Sequence, residues 1–294
     1  MTTVAVVTIV HGRHDHLRGQ LWGLHRQLRA PDLHVVVAMG DPDVEQVVAD
    51  DADAPWLSVL VPVPLVDGRL PLAAARNAGV AAAAARGAEV VVLLDVDCIP
   101  SAGLVERYAA ALDPRDRRRS RPVVVCGEVR YLSAAATAAP VGEWTWDGLR
   151  AHERRHPARP ALGPGVRGMR DTTEFWSLSF ATTVGAWREI GGFDEAYVGY
   201  GGEDTDFGQR ISAADGTVLW LGEAMALHQD HASSSPPVEH LADVVENASR
   251  FAERWGWWPM RGWLDEFEDL GLVARTADGG YALTSRGRRQ GAPV

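Results

Sequence analysis

The chain contains no lysine, and all of its basic side chains are arginine or histidine. This absence excludes a catalytic Schiff-base lysine and the lysine of a P-loop. The charge of a phosphate ligand must therefore be met by arginine, histidine, backbone N–H groups or a metal ion. Cysteine is also scarce, since only Cys98 and Cys126 are present. Two cysteines exclude a disulfide framework and favour a reducing compartment.

Long apolar runs and an excess of positive charge are missing as well. No apolar stretch reaches the roughly 18 residues of a membrane span, and the first residues lack the basic region of a signal peptide. The net charge of −10 makes nucleic acids and anionic membranes poor partners. The length of 294 residues suits one large α/β domain with additions, or two small domains. We therefore expect a soluble cytoplasmic protein without a transmembrane segment.

Short apolar runs alternate with helical patterns from the first strand onward. Strands are predicted at 4–10, 34–39, 57–63 and from 90, and helices at 13–28, 44–49 and 72–86. This β-α-β alternation is typical of the α/β class, with a doubly wound, mostly parallel sheet. The stretch 152–170 lacks periodicity and is predicted to be a long loop that closes over a ligand. A hairpin is predicted at 272–283, within a helical C-terminal appendage.

Two carboxylates end the strand that begins at Val90. Asp95 and Asp97 follow its apolar run, at the sheet edge where open α/β sheets bind ligands. Residues i and i+2 of a strand point to the same side. Both carboxylates are therefore expected to hold one divalent cation, which in turn holds the phosphates of a nucleotide. The alternative is that they are only helix caps or solvated loop residues, as a short Asp-X-Asp motif often is.

The segment 191–207 combines five glycines with five acidic residues. Acids in the first turn of a helix are favoured by the helix dipole, which explains one or two of them. It does not explain the tyrosines and glycines that come just before Glu203 and Asp204. Aromatic faces and carboxylates together suit a sugar ring, and a carboxylate there can act as a general base.

Two more segments supply candidate ligands. His228 and His231 follow a strand predicted at 217–221, and one of them is expected to complete the metal site of Asp97. Their spacing of three can place both on one helical face. In the helix before the Asp95 strand, Arg76 and Asn77 are expected to face nucleotide phosphates or the Asp95 loop. The alternative is that the Arg76 side chain is exposed to solvent and contacts neither.

Taken together, these segments resemble a GT-A glycosyltransferase. The N-terminal half is similar to glycosyltransferase family 2 through Thr8-Ile9-Val10 with Arg13, Ala75-Arg76-Asn77-Ala78-Gly79 and Leu93-Leu94-Asp95-Val96-Asp97. The segment 180–207 resembles the C-terminal module of β-1,4-galactosyltransferases and polypeptide N-acetylgalactosaminyltransferases, above all at Gly191-Gly192-Phe193-Asp194 and Gly201-Gly202-Glu203-Asp204-Thr205-Asp206. The resemblance implies a GT-A domain at 1–231, with a nucleotide-binding half at 1–100 and an acceptor and catalytic half at 101–231. Residues 232–294 are left as a C-terminal extension.

The resemblance also implies a role for each matching residue. Asp204 would be the catalytic base, and Glu203 would hold hydroxyls of the acceptor or donor. Mn²⁺ or Mg²⁺ would be held by Asp97, His228, Asp95 and Met225, and the thioether of Met225 would favour Mn²⁺. The nucleotide sugar would be bound by Thr8, Val10, His11, Arg13, Asp41, Arg76, Asn77, Asp95, Tyr200, Gly201 and Gly202.

The sequence departs from this pattern at two positions. Thr205 interrupts the family's run of acids, and Tyr200 stands where the family has a tryptophan against the sugars. Both departures leave the donor sugar and the acceptor open.

The prediction is therefore a metal-dependent glycosyltransferase that moves a hexose, with inversion, from a nucleotide sugar that is expected to be UDP-linked. The acceptor would be a hydroxyl of a saccharide, peptide or small molecule. A retaining GT-A enzyme is the nearest alternative, and a non-catalytic protein that binds carbohydrate or nucleotide sugar is another class. A sugar-1-phosphate nucleotidylyltransferase is disfavoured, because the first loop His11-Gly12-Arg13-His14 is poor in glycine and the chain has no lysine.

Overall fold

Helices and strands alternate through residues 2–114, 120–232 and 234–290, which are the residues that the computed structural model describes. The strands are β1 (Val4–Val10), β2 (Leu33–Met39), β3 (Leu57–Val63), β4 (Val90–Leu94), β5 (Cys98–Pro100), β6 (Val123–Leu132), β7 (Glu153–Arg155), β8 (Val166–Gly168), β9 (Ser179–Thr183), β10 (Thr217–His228), β11 (Val273–Arg275) and β12 (Tyr281–Leu283). The α-helices are α1 (His14–Leu24), α2 (Val44–Asp50), α3 (Leu72–Ala84), α4 (Leu104–Ala111), α5 (Trp146–Arg150), α6 (Val184–Ile190), α7 (Glu203–Ala213), α8 (Leu241–Trp255), α9 (Arg261–Asp269) and α10 (Ser285–Gln290). Short 3-10 helices lie at Ala134–Thr137, Val141–Glu143, Thr172–Glu174 and Val238–His240.

The main sheet has the strand order β3-β2-β1-β4-β9-β6-β10-β5, with β7 beside β6 and β8 beside β10. Strands β3, β2, β1 and β4 are parallel to one another. Strand β9 is inserted antiparallel between β4 and β6, and β10 runs parallel to β6. As a result the carboxyl ends of β1, β2, β3, β4, β6 and β10 all meet at one edge of the sheet. This edge is where ligands bind in open α/β sheets.

Apolar side chains cover both faces of this sheet, which confirms the predicted α/β class and doubly wound layout. Strand β1 shows the alternation, since Val7 and Ile9 pack into one core cluster and Val6 and Val10 pack into the other. Helices α3, α6 and α7 contribute to the first cluster, and α1, α2 and α4 contribute to the second. The predicted strands and helices of the first hundred residues are all present, with ends shifted by a few residues.

Three expectations about local structure are wrong. Strand β4 ends at Leu94, and Asp95 and Asp97 lie in a turn closed by a 2.9 Å hydrogen bond from the Cys98 N–H to the Asp95 carbonyl. The two carboxylates therefore do not share a strand face. Strand β10 continues to His228 through a register shift between Leu221 and Ala226, so His228 does not lie on a helix.

The third correction concerns the loop predicted at 152–170, which contains the two short strands β7 and β8. Both pair at the rim of the main sheet. Strand β7 has the sequence Glu-Arg-Arg, and β8 is exposed along its whole length. Neither strand has an apolar face, so hydrophobic periodicity could not indicate them.

The C-terminal extension has a small core of its own. The predicted hairpin is confirmed, with β11 and β12 paired from Val273 opposite Leu283 to Arg275 opposite Tyr281. Buried side chains of α8, α9 and this hairpin pack together, and the core comprises Leu241, Val244, Val245, Ala248, Leu264, Phe267, Leu272, Val273 and Tyr281. In the part of the chain that the structure describes, no helix has both the length and the apolar character needed to cross a membrane.

Candidate active site

One carboxylate and two imidazoles converge at the carboxyl edge of the sheet. Asp97, His228 and His231 each offer a ligand atom, and these atoms all lie within 4.8 Å of one another. Nε2 of His228 is 3.4 Å from Asp97 Oδ1, and Nε2 of His231 is 3.5 Å from Asp97 Oδ2. A carboxylate suits Mg²⁺ or Mn²⁺, whereas imidazole favours a transition-metal ion, so the set fits Mn²⁺ better than Mg²⁺. The sequence left open which histidine is the ligand, and the structure brings both to Asp97.

Burial, a guanidinium and an aromatic ring define the surroundings of this cluster. Asp97 is buried, and Arg13 at the start of α1 donates from Nη1 to its Oδ2. Burial lowers the pKa of His228, although the neighbouring Asp97 opposes the shift. The imidazole is therefore kept neutral, which is the form that binds metals. The ring of Tyr131 at the end of β6 stacks on His228, with the ring centroids 4.8 Å apart.

A single buried guanidinium joins the Asp95 turn to the first turn of α7. Nη2 of Arg76 is 3.4 Å from Asp95 Oδ1. Nη1 of the same side chain is 3.3 Å from Glu203 Oε1 and 3.8 Å from Asp204 Oδ1. Burial lowers the pKa of Arg76, but the three carboxylates outweigh burial and raise it. The structure thus brings together two motifs that the sequence had singled out separately.

Burial and neighbouring charges raise the pKa values of two of these acids, Glu203 and Asp95. Burial raises the pKa of Glu203 to about 7, with the charge of Asp204 adding to the shift and Arg76 opposing it. Burial likewise raises the pKa of Asp95 to about 6, with Arg76 opposing and Asp97 adding. Asp204 is the more open member of the acid pair, since its side chain is 26% exposed and that of Glu203 is 8% exposed. Its Oδ2 accepts a 3.0 Å hydrogen bond from the Ser177 N–H.

Gly201 and Gly202 adopt positive φ angles, and residues of the C-terminal extension pack closely against both. Gly201 and Gly202 have φ values of +91° and +89°, which disfavour any residue with a side chain. A Cβ on Gly201 would lie 3.0 Å from Sδ of Met260, and one on Gly202 would lie 3.3 Å from Cβ of Asn247. The C-terminal extension therefore packs directly on the segment that carries the two candidate catalytic acids.

Tyr200 lies between this glycine segment and the extension. Its N–H donates to Asp243 at 3.2 Å, and its carbonyl accepts from Nδ2 of Asn247 at 3.4 Å. Its ring is 38% exposed and stacks on His240 and Trp263, with centroid distances of 4.6 and 6.0 Å. The aromatic surface at this position is thus shared by Tyr200 and two residues of the extension.

The remaining predicted nucleotide ligands lie at the ends of β1, β2 and α3. Thr8 and Val10 are fully buried. Nδ1 of His11 is 2.6 Å from the Met39 carbonyl. Burial raises the pKa of Asp41, but hydrogen bonds from the Gly12 N–H and His14 outweigh it and lower the pKa. The nucleotide contacts of these residues remain predictions.

Asn77 and Met225 have defined places as well. Asn77 donates to the Phe193 carbonyl and accepts from the Phe193 N–H, both at 2.9 Å, so its amide fixes the 191–195 turn. Met225 lies three residues before His228 on β10. This odd spacing directs the two side chains to opposite faces of a regular strand. A ligand role for Met225 therefore remains a prediction.

Two residues of the site were missed by the sequence reasoning. Tyr131 gave no signal, because it is one aromatic residue in a predicted strand. Gln20 did leave a signal, because it lies on the same helical face as Leu17, Leu21 and Leu24. A polar residue on an apolar stripe must find hydrogen-bond partners inside the protein.

A family model supports the resemblance of the C-terminal half. Residues 166–228 match the model described as the N-terminal domain of galactosyltransferase. The matched stretch contains the glycine and acid segment, and it ends at His228. No curated protein has a sequence that matches the chain significantly.

Solved structures share the fold over most of the chain. GalNAc-T7 with UDP, GalNAc and Mn²⁺ superposes with a TM-score of 0.56 and 16% identity over 92% of this chain and 57% of that one. TarS of S. aureus, residues 1–349, gives a TM-score of 0.57 and 12% identity over 86% of this chain and 66% of that one. A second TarS structure gives a TM-score of 0.57 and 13% identity, and there the chain spans 40% of the protein. The predicted GT-A fold and the resemblance to glycosyltransferases are confirmed.

Proposed function

We propose that the chain is a metal-dependent glycosyltransferase that moves a sugar from a UDP-linked donor to an acceptor hydroxyl. The observation that carries the proposal is the bridge made by Arg76 between Asp95 and the pair Glu203 and Asp204. Glycosyl transfer needs a cation beside the departing diphosphate and a base beside the acceptor hydroxyl. The bridge sets the turn that carries Asp97, a candidate metal ligand, next to Asp204, the candidate base.

Asp97, His228 and His231 would hold the metal, with Asp95 and Met225 as further candidates. When bound, a divalent ion neutralises charge on the leaving diphosphate. Mn²⁺ is supported by the imidazoles of the donor set and by the Mn²⁺ bound with UDP in GalNAc-T7. That structure also supports UDP as the nucleotide of the donor.

Asp204 would remove the proton of the acceptor hydroxyl. Its carboxylate is the more exposed of the acid pair, and the Ser177 N–H orients it. Glu203, whose pKa is raised to about 7, is partly protonated at neutral pH and can donate a hydrogen bond to a sugar oxygen. With one carboxylate free to act as base, we propose attack from the face opposite the leaving group and therefore inversion.

Arg13 and Arg76 would meet the remaining negative charge of the donor, since the chain offers no lysine. Arg13 already contacts Asp97, so it lies where a diphosphate held by the metal would come. The stretch 152–170 would cover the bound donor and exclude water. Arg159 within it stacks on Trp176, with its guanidinium carbon 3.4 Å from the ring centroid, so this stretch is anchored beside the site.

The proposal is tested by hydrolysis and transfer assays with a panel of UDP- and GDP-sugars, with and without Mn²⁺. We expect UDP release to depend on Mn²⁺ and to fall by about 100-fold or more in Asp97→Asn. The rate of sugar transfer is expected to fall to the same extent in Asp204→Asn. Asp215→Asn, at an exposed position just after α7, is the matched control and should retain activity.

Two results would contradict parts of this proposal. Activity in wild type that is independent of divalent ions would remove the metal assignment. Retention of the donor's anomeric configuration in the product would remove the assignment of Asp204 as the base of a single displacement. If no nucleotide sugar is turned over but UDP or a sugar binds, the result would favour a non-catalytic protein that binds carbohydrate or nucleotide sugar.

A further inference from the structure

Helix α1 reaches the turn that carries Asp97 through a buried glutamine. Gln20 has no exposed surface. Its Nε2 donates to the carbonyl of Asp95 at 2.8 Å and lies 3.3 and 3.4 Å from the carbonyls of Cys98 and Leu94. These three carbonyls bracket the turn between β4 and β5. One side chain thus fixes the backbone on both sides of Asp97.

The orientation of the Gln20 amide is set by a second layer of hydrogen bonds. The Thr8 hydroxyl donates to Gln20 Oε1 at 2.7 Å, and Nε2 of His34 lies 3.2 Å from the Thr8 oxygen. Burial lowers the pKa of His34 to about 3, so the ring is neutral and can donate from Nε2. Every donor in this chain of contacts has an acceptor, which makes the flipped amide unfavourable.

The same helix also holds the histidine side of the site. Gln229 follows His228, and its N–H donates to the Asp97 carbonyl at 2.7 Å. Its Nε2 donates to the carbonyl of His16 in α1 at 2.9 Å. A Cβ on Gly19 would lie 2.4 Å from Oε1 of Gln229, so a side chain at position 19 would shift this amide from its place against α1.

From this arrangement we infer that Gln20 and Gln229 are positioning residues that set the separation of Asp97 and His228, with α1 as their common frame. Both act through backbone groups of the turn and of the strand end. The inference rests on the metal site of the proposed function. Outer-shell partners that orient metal ligands typically change metal affinity by roughly 10- to 100-fold when they are lost.

The test measures Mn²⁺ binding by the full chain in the presence of UDP, from the electron paramagnetic resonance signal of free Mn²⁺. Gln20→Met and Gln229→Met keep the side-chain length and remove the hydrogen bonds. Each is expected to weaken Mn²⁺ binding by roughly 10-fold or more, with UDP binding in the absence of Mn²⁺ unchanged. Thermal unfolding of each variant is recorded in parallel.

Gln27→Met, three residues beyond the C-terminal end of α1, is the matched control. Its Nε2 donates to the Ser101 carbonyl at 2.7 Å, and its Oε1 accepts from the Val105 N–H at 3.1 Å, both outside the turn. We expect it to lower the unfolding temperature and to leave Mn²⁺ affinity unchanged. Because Gln20 is the more deeply buried, Gln229→Met carries the test if Gln20→Met does not fold.

Unchanged Mn²⁺ affinity in a variant with a lowered unfolding temperature would make the two glutamines merely structural and overturn the inference. An equal loss of affinity in Gln27→Met would overturn it too, because the effect would then be general loosening. Failure of the wild type to bind Mn²⁺ would instead contradict the proposed function, so the two failures can be told apart.

Discussion

At the scale of single residues, the site is a balance of charges around Arg76. The guanidinium is buried with three carboxylates, and removal of one member of such a set leaves the others without compensation. At Glu203 the charge of Arg76 does not offset burial, which raises the pKa of this carboxyl to about 7. The free energy of unfolding must therefore depend on the protonation of this residue.

The variant Glu203→Gln tests this dependence. Between the ordinary pKa of 4.5 and about 7, the folded wild type holds a proton that the unfolded chain has lost, so the stability contributed by Glu203 falls as pH rises through this window. Glutamine removes the effect. We expect the stability of the variant relative to wild type to increase from pH 5 to pH 8, by about 3 kcal/mol at most.

Denaturant unfolding at several pH values measures this difference. Glu45→Gln, at an exposed position on α2, serves as the control and should show a constant difference from wild type. A constant difference for Glu203→Gln as well would mean that Glu203 is already ionised throughout this pH range.

Residue types and spacing predicted Asp97, His228 and Glu203 as candidates, because carboxylates and imidazoles at strand and helix ends leave a visible pattern. The pattern indicated a histidine beside Asp97 and gave the Asp95 loop as one of two expected partners of Arg76, but it placed both carboxylates on one cation. It did not predict that Asp95 faces Arg76 while Asp97 faces the histidines. That division depends on the turn that Gln20 holds, and hydrogen bonds between distant segments leave no periodicity in a sequence. The roles of these residues in catalysis remain predictions.

At the scale of elements, the glycine segment before α7 is the point where two parts of the chain touch. Gly202 has a φ of +89°. A Cβ at this position would lie 3.2 Å from Cε1 of Tyr197 and 3.3 Å from Cβ of Asn247. A side chain here has two costs, the backbone strain and the displacement of α8. The second cost bears on the candidate catalytic acids, because α7 begins at the next residue.

The variant Gly202→Ala is therefore expected to lose both stability and transfer activity. Backbone strain alone costs about 1–3 kcal/mol for a non-glycine residue at positive φ. Gly256→Ala is the control, because Gly256 has a φ of +77° with open space around it. It should lose stability to a similar extent and keep its turnover rate per folded molecule. Equal turnover in the two variants would mean that packing of the extension on this segment does not position the acids.

Strand β10 shows why some element boundaries escaped prediction. The apolar pattern was expected to end at Leu221, whereas the strand continues to His228 across a register shift. Gly222 and Glu223 interrupt the alternation at this irregularity, and a β-bulge has this effect on a sequence pattern. Regular strands such as β1 and β2 were predicted nearly to the residue, because both of their faces are buried.

At the scale of the whole molecule, one edge of the sheet gathers the carboxyl ends of six parallel strands and the start of α7. The alternation of apolar runs and helices was enough to predict this architecture, because such alternation has few compact solutions. It could not predict how closely the extension packs against the site. Asp243, Asn247 and Met260 have ordinary sequence surroundings, and only the folded chain brings them to the segment 199–202.

The proposed metal site is tested most directly by a crystal structure of the chain with UDP and Mn²⁺, with anomalous diffraction collected at the manganese edge. We expect one strong anomalous peak bonded to Asp97 and to His228 or His231, with diphosphate oxygens completing the coordination. UDP bound at the sheet edge with its manganese peak away from Asp97, or with no such peak, would contradict it.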